Sequence, residues 1–188
     1  MLRITGGSWR GRKILTPEGE ATRPSMDAHR LNLMNVIGQD LSGDRVLDLF
    51  AGSGAFSFEC LSRGAASAVL VELAKPALTV IRKNLATVAP KPGTAELVAA
   101  DCYALPQLRS PFDIVFIAPP YPHFHEQRAN LDRLVASLAD PARPLLADDG
   151  IAIVQSNEGD FAGTGFAGLA VEGQRRWGRT DFTLLRRA

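Results

Sequence analysis

Val46-Leu-Asp-Leu-Phe-Ala-Gly-Ser-Gly-Ala55 decides the reading of this chain. Its first part, Arg45 to Phe50, reads as a buried strand with Asp48 near its end. Gly52 and Gly54 then allow a tight turn and a close approach to a ligand. A helix over Ser53 to Arg63 points its first N–H groups at that ligand. A short apolar strand, Ala68 to Val71, ends in Glu72, about 20 residues past the turn, where an acid that holds a ribose belongs. The stretch therefore predicts a site for a nucleoside-bearing cofactor.

Working outward, strands and helices alternate from Arg45 onward, which argues for a doubly wound, mostly parallel α/β sheet with right-handed crossovers. Pro76 opens a helix that carries Leu78, Val80, Ile81 and Leu85. Glu96 to Ala100 is a strand ending in Asp101-Cys102, and Phe112 to Ile117 is another that runs into Ala118-Pro-Pro-Tyr121. In open α/β sheets ligands bind beyond the carboxyl ends of the strands. The turn at Gly52–Gly54, Glu72, Asp101 and Pro119–Tyr121 are all expected on that edge. A helix over Gln127 to Leu138 follows. Asp148-Asp-Gly150 reads as a turn before the apolar strand Ile151 to Val154. Phe161 to Gly168 reads as a surface loop, and Leu169 to Val171 with Phe182 to Leu185 as a closing hairpin.

The two ends of the chain are basic. Met1 to Lys13 carries Arg3, Arg10, Arg12 and Lys13 without an acid, spaced by glycines around Trp9. This reads as a short hairpin suited to phosphate contacts, which position a nucleic acid without specifying its sequence. Thr22 to Arg30 leads into a helix, with Pro24 outside it and Ser25 as its cap; Leu31, Met34 and Ile37 recur at helical spacing. Five arginines follow Gln174 against the single acid Asp181, with Trp177 among them. Over all 188 residues the net charge is only +1, so nucleic-acid affinity needs this clustering. The composition, 46% hydrophobic and 22% charged, is that of a soluble globular protein. Two cysteines without a C-x-x-C pair suggest neither disulfides nor a metal site, and a reducing cytoplasm is the simple expectation. No apolar run is long enough to span a membrane, and without a spare apolar stripe the expected state is a monomer.

The cofactor can be narrowed further. A dinucleotide fingerprint places a third glycine where Ser57 stands, which weakens an NAD reading. An acid four positions before the first glycine, Asp48 before Gly52, instead resembles motif I of the S-adenosylmethionine-dependent methyltransferases. Most of the chain is similar to the bacterial RsmD family, which methylates the exocyclic N2 of a guanine in small-subunit ribosomal RNA. The likeness runs through Ile4-Thr-Gly-Gly-Ser-Trp-Arg-Gly-Arg-Lys13, Arg23-Pro-Ser-Met-Asp27 with Arg30, Leu33 and Asn35, Leu47 to Gly54, and Trp177-Gly-Arg-Thr180. It implies a seven-stranded methyltransferase domain over residues 41–188, preceded by a basic arm and entry helix over 1–40. It further implies S-adenosylmethionine held by Asp48, Phe50, Ala51, Gly52, Ser53, Gly54, Glu72, Leu73, Asp101 and Cys102. RNA, within a small-subunit particle, would be held by Arg3, Trp9, Arg10, Arg12, Lys13, Arg23 and Arg30, with Arg175, Arg176 and Arg179 as further candidates. A loop of Ala118, Pro119, Pro120 and Tyr121 would do the chemistry.

The chain departs from the family pattern in two places. In the entry helix Ala28, Leu31 and Met34 stand where the family has arginine, glutamate and phenylalanine. In the loop the family has aspartate, or asparagine in related amino-methyltransferases, where this chain has Ala118. That side chain accepts a hydrogen bond from the target amine, and alanine has no acceptor. A hydrogen bond to a charged partner contributes roughly 1.5–3 kcal/mol, about one to two orders of magnitude in rate. Three readings follow: an active but slower enzyme, a binding protein without catalysis, or an acceptor supplied from elsewhere, with His123 and His125 just beyond the loop. An amino-methyltransferase for another nucleic acid or a small molecule is a further alternative, because fold does not fix substrate.

Overall fold

The computed structural model describes residues 1–17, 24–109, 111–162 and 165–188, with residues 24–26 as backbone alone. The chain divides into two compact units, Met1–Ala100 and Asp101–Ala188.

The first unit opens with a small antiparallel ribbon, β1 (Leu2–Arg3) against β2 (Lys13–Ile14), joined through a 3-10 turn at Gly7–Trp9. The helix α1 (Pro24–Ile37) follows. Then come β3 (Arg45–Leu49), α2 (Ala55–Ser62), β4 (Ser67–Glu72), α3 (Lys75–Val88) and β5 (Ala95–Ala99). The three strands lie in the order β5-β4-β3, all parallel, with Asp48 opposite Leu70 and Glu72 opposite Ala99. The helix α3 buries Ala77, Leu78, Ile81, Asn84 and Val88, a stripe at helical spacing. By contrast α2 is buried from Phe56 to Ser62 without a break, so every polar residue on it needs a partner inside the protein.

The second unit contains β6 (Phe112–Ile117), the short helix α4 (His123–Glu126), α5 (Arg128–Ser137), β7 (Leu146–Asn157), β8 (Leu169–Trp177) and β9 (Thr180–Arg187). Its strands lie in the order β6-β7-β9-β8, the first pair parallel and the others antiparallel. Three strands from one unit and four from the other give the mixed α/β, mostly parallel seven-stranded class that the alternation predicted.

Four local expectations need correction. Pro24 is the first residue of α1 and Ser25 the second, so the proline starts the helix rather than standing outside it; the first helical position needs no N–H donor. Asp148-Asp-Gly150 lies inside β7, in a bulge between the pairs Phe112–Leu146 and Ile114–Ile151. β8 runs to Trp177, so Arg175 and Arg176 are strand residues and the hairpin turns at Gly178-Arg179. Phe161 is 1% exposed and packs edge-on against Phe124 and flat against Phe166, so its segment is anchored by an aromatic core contact.

Candidate functional site

In the first unit β3 delivers the chain into a strained turn. Phe50, Gly52 and Gly54 all take positive φ (62°, 58° and 76°). Phe50 does so without glycine's freedom, the kind of backbone strain that functional turns store. At Gly54 a Cβ would lie 2.7 Å from the Phe58 ring and 2.9 Å from Leu70, so only glycine lets α2 sit this close to the sheet. The turn is tied down by Ala51 N–H to the Val71 carbonyl (3.1 Å) and Gly54 N–H to the Ala51 carbonyl (2.7 Å).

Asp48 and Glu72 brace the turn from two sides. Asp48 is buried, and its Oδ2 accepts from the Ser57 N–H (3.2 Å) and hydroxyl (2.8 Å), both in the first turn of α2. Burial raises this carboxyl to about 7; the Ser57 hydrogen bonds pull it down and the Glu72 charge raises it further. Glu72 Oε2 accepts from Gly52 N–H (2.8 Å), while Oε1 accepts from Leu73 and Ala74 N–H (2.9 and 2.8 Å). One half-buried carboxylate thus links the glycine turn to the start of α3, with lone pairs remaining for a hydroxyl donor. Leu73 beside it is 61% exposed and offers apolar surface.

In the second unit Asp101 is exposed and accepts from Tyr103 N–H (2.9 Å), while Cys102 is buried with its thiol. Ala118 is half-buried, Pro119 buried, Pro120 exposed and Tyr121 40% exposed. His123 N–H takes the Pro120 carbonyl (2.9 Å) and Phe124 N–H the Tyr121 carbonyl (3.2 Å), so α4 seats the loop from behind. The His123 ring is held too, its Nδ1 3.0 Å from the Tyr103 hydroxyl. Burial pushes that phenol up to about 12, so it stays protonated and can donate. The bond to Tyr103 engages one ring nitrogen of His123, and the tautomer sets which partner donates. His125 is 73% exposed and faces Asp160 at 3.4 Å.

The basic arm is fastened to α2 by an acid that the sequence reading missed. Glu59 is fully buried. It accepts from Thr5 N–H and hydroxyl (2.8 Å each), Gly6 N–H (2.9 Å), Arg30 Nε (3.4 Å) and Arg63 Nε (3.1 Å). Arg30 also donates to the Arg3 carbonyl (2.6 Å) and Asp27 (2.7 Å). Arg30 is therefore corrected from an RNA contact to an internal tie, at 7% exposure. Gly7 has φ +73°, and a Cβ there would fall 1.9 Å from the Ser62 carbonyl, so the arm lies directly on α2. Trp9 is half-buried against the cluster of Leu2, Ile4, Ile14, Phe58 and Val88. Arg3, Arg10, Arg12 and Lys13 remain exposed, with Arg12 donating to the Val88 carbonyl at 2.9 Å. Arg23 lies outside the described residues.

The second basic cluster is largely paired. Arg176 makes a two-point bond to buried Asp181 (2.6 and 2.9 Å) and reaches Glu158. Arg186 pairs with Glu172, and Arg187 with Asp148. Arg175 and Arg179 stay exposed.

Comparison with known proteins fits this geometry. Residues 2–186 match the family described as Conserved hypothetical protein 95. The chain belongs to this family, the RsmD family. It is 38% identical over 156 residues to ribosomal RNA small subunit methyltransferase D of Escherichia coli K12, covering 82% of this chain and 74% of that one. It is 37% identical over 127 residues to the protein of the same name from Haemophilus influenzae, covering 66% and 65%. The solved structure of yhhF from Escherichia coli has a TM-score of 0.79 at 33% identity, covering 98% of this chain and 97% of that chain. A ribosomal protein L11 methylase from Lactobacillus delbrueckii, at 17% identity and a TM-score of 0.67, shares the fold.

Proposed function

We propose that this RsmD-family chain is an S-adenosylmethionine-dependent methyltransferase that methylates the exocyclic N2 of a guanine in small-subunit ribosomal RNA. The observation that carries the reading is the intact turn, braced by Asp48 and Glu72, in a chain 38% identical to an enzyme named for that RNA. When bound, the cofactor would supply a methyl group carried on a positively charged sulfur. Asp48 would lend negative charge to the cofactor's ammonium and Glu72 would accept from its ribose; Leu73 is one candidate for the adenine, and Asp101 with the Cys102 main chain another. Tyr121 stacks on a base presented out of its stack. The Pro119 carbonyl accepts one amine hydrogen, and two successive prolines keep the loop extended.

Residues 1–40 serve as the RNA-side extension and 41–188 as the methyltransferase domain. Arg3, Arg10, Arg12 and Lys13 contact phosphates, joined by Arg175 and Arg179. The enzyme works as a monomer in the cytoplasm on a small-subunit particle. Among the described residues, no helix is long and apolar enough to cross a membrane. Ala118 favours a second reading, a cofactor- and RNA-binding homologue without turnover. Methyl transfer from labelled S-adenosylmethionine to undermethylated small subunits, with nucleoside analysis, decides between them. N2-methylguanine from the chain as it stands, and faster formation with Ala118→Asp, is the expected result. Cofactor binding without transfer by either form would favour the second reading.

A further inference from the structure

The loop lacks an acceptor, and its neighbouring strand carries one. β6 and β7 run parallel, and their last pair is Ile117 opposite Val154; Ala118 and Gln155 are the residues that follow that pair on the two chains. Side chains alternate along strands, which puts Gln155 of β7 on the face opposite to that of Val154. The row continues across the sheet of this unit. Gln155 is opposite Phe182 of β9, and Phe182 is opposite Arg175 of β8. The Trp177 and Phe182 rings lie 5.0 Å apart on that same side. Gln155 is half-buried, and no hydrogen bond of its side-chain amide is found among the described residues. The amide is not among the buried side-chain groups left without a partner, so it is open to solvent and free to accept a hydrogen bond from a ligand.

We propose that Gln155 provides the amide oxygen that accepts a hydrogen bond from the amine of the target guanine, in place of the side chain Ala118 lacks. The inference rests on the methyltransferase reading above. Strands are spaced about 4.8 Å apart, and glutamine is one methylene longer than asparagine, which suits an acceptor mounted one strand to the side. As the nitrogen–methyl bond forms, the sulfur–methyl bond breaks and its electron pair stays on sulfur. The surplus amine proton leaves to water, because an amide oxygen is no base at neutral pH. Gln155 thus orients the lone pair without taking the proton.

The test uses the full chain with Gln155→Ala, Gln155→Glu, Ala118→Asp and the Ala118→Asp/Gln155→Ala pair. Methyl transfer to undermethylated small subunits is measured beside S-adenosylmethionine affinity by calorimetry. Gln155→Ala is expected to lower kcat about tenfold to a hundredfold with cofactor affinity unchanged. Gln155→Glu keeps an acceptor and should retain turnover. In the Ala118→Asp background the loss should largely vanish, because the aspartate makes Gln155 redundant. As a readout apart from turnover, the parent should bind guanosine 5′-monophosphate more tightly than inosine 5′-monophosphate, which lacks the amine, and Gln155→Ala should bind both alike. Parent-like turnover by Gln155→Ala, an equal loss in both backgrounds, or no nucleotide preference in the parent would each overturn the proposal while leaving the methyltransferase reading intact. Absence of transfer by both the parent and Ala118→Asp would overturn the reading itself, and the proposal with it.

Discussion

Two acids are sealed inside the first unit, and they are treated in opposite ways. Glu59 on α2 is surrounded by two guanidinium groups, two backbone N–H groups and a hydroxyl. Asp48 on β3 receives two hydrogen bonds, both from Ser57, and feels the repulsion of Glu72. Burial alone would disfavour the charge on either. Glu59 has its countercharge built into the fold. Asp48 is met by no cation among the described residues, and its carboxyl rises to about 7. A buried acid short of positive charge, at the root of a strained glycine turn, marks a place for a ligand's cation. The fold uses Glu59 to hold itself together, and the proposed function assigns Asp48 to the cofactor.

Removing Glu59 should give the largest effect. Glu59→Ala strands Arg30 and Arg63 in the interior, and breaking a buried ion pair by removing one partner costs about 3–5 kcal/mol. Urea unfolding followed by circular dichroism would show the loss; a change below about 1 kcal/mol would remove Glu59 from its structural role. Asp48→Asn should do the reverse. The asparagine carbonyl can still accept from Ser57 while the uncompensated charge is gone. The ligand-free protein should gain roughly 1–3 kcal/mol at pH 8, while affinity for S-adenosylmethionine falls about tenfold to a hundredfold. A variant that loses both stability and affinity would place Asp48 in the same class as Glu59.

The pH dependence sharpens the contrast. The Asp48 carboxyl titrates near 7 in the folded chain and near 3.8 when exposed, so the folded state holds the extra proton between those values. Its contribution to stability is therefore greatest at the acid end and declines as pH rises from about 4 to 7. Asp48→Asn should flatten that slope in thermal melts of the ligand-free protein. Cofactor binding runs the other way, because a bound ammonium favours the ionised acid. At about pH 6 binding should release a proton, detectable as different heats in buffers of different ionisation enthalpy, and affinity should level off above about pH 7. Equal heats in both buffers would mean that Asp48 and the ammonium do not meet.

Much of this was legible in the sequence. Period and punctuation gave β3, α2, β4, α3 and β6 to within a residue or two, and the turn that Asp48 and Glu72 brace was visible as a candidate for the cofactor side of the site. Glu59 passed unnoticed because a charged residue on a helix is ordinarily solvated. A signal was available: Phe56-Ser-Phe-Glu-Cys-Leu61 has no polar face, so an acid there must be buried and paired. Arg30 looked like a phosphate contact because its partner lies 29 residues away, and local pattern cannot show that. Asp148-Asp-Gly150 has turn composition, yet β-bulges use the same residues, and only the pairing across β6 distinguishes them. The closeness of Gln155 to the end of β6, which the proposal uses, likewise shows only in strand register.

The smallest effect tests whether charges left outside by the Glu59 clasp are the ones that meet RNA. Arg10 and Lys13 are exposed on the docked arm, whereas Arg176, equally basic in sequence, is committed to buried Asp181 and holds that carboxyl below its usual range. Taking away one cation that neutralises a phosphate should reduce the salt dependence of RNA binding by about 0.7–0.9 in the log–log slope. Arg10→Ala with Lys13→Ala should thus flatten the slope by about 1.5, with affinity falling roughly threefold to tenfold per residue at low salt. Arg176→Ala should leave that slope unchanged and instead lower thermal stability, because Asp181 would be left buried without its cation. If Arg176→Ala flattened the slope as much as the arm variants, ion pairing on the hairpin would not withhold an arginine from RNA. The distinction between charges used by the fold and charges offered to a partner would then hold for the sealed acids alone.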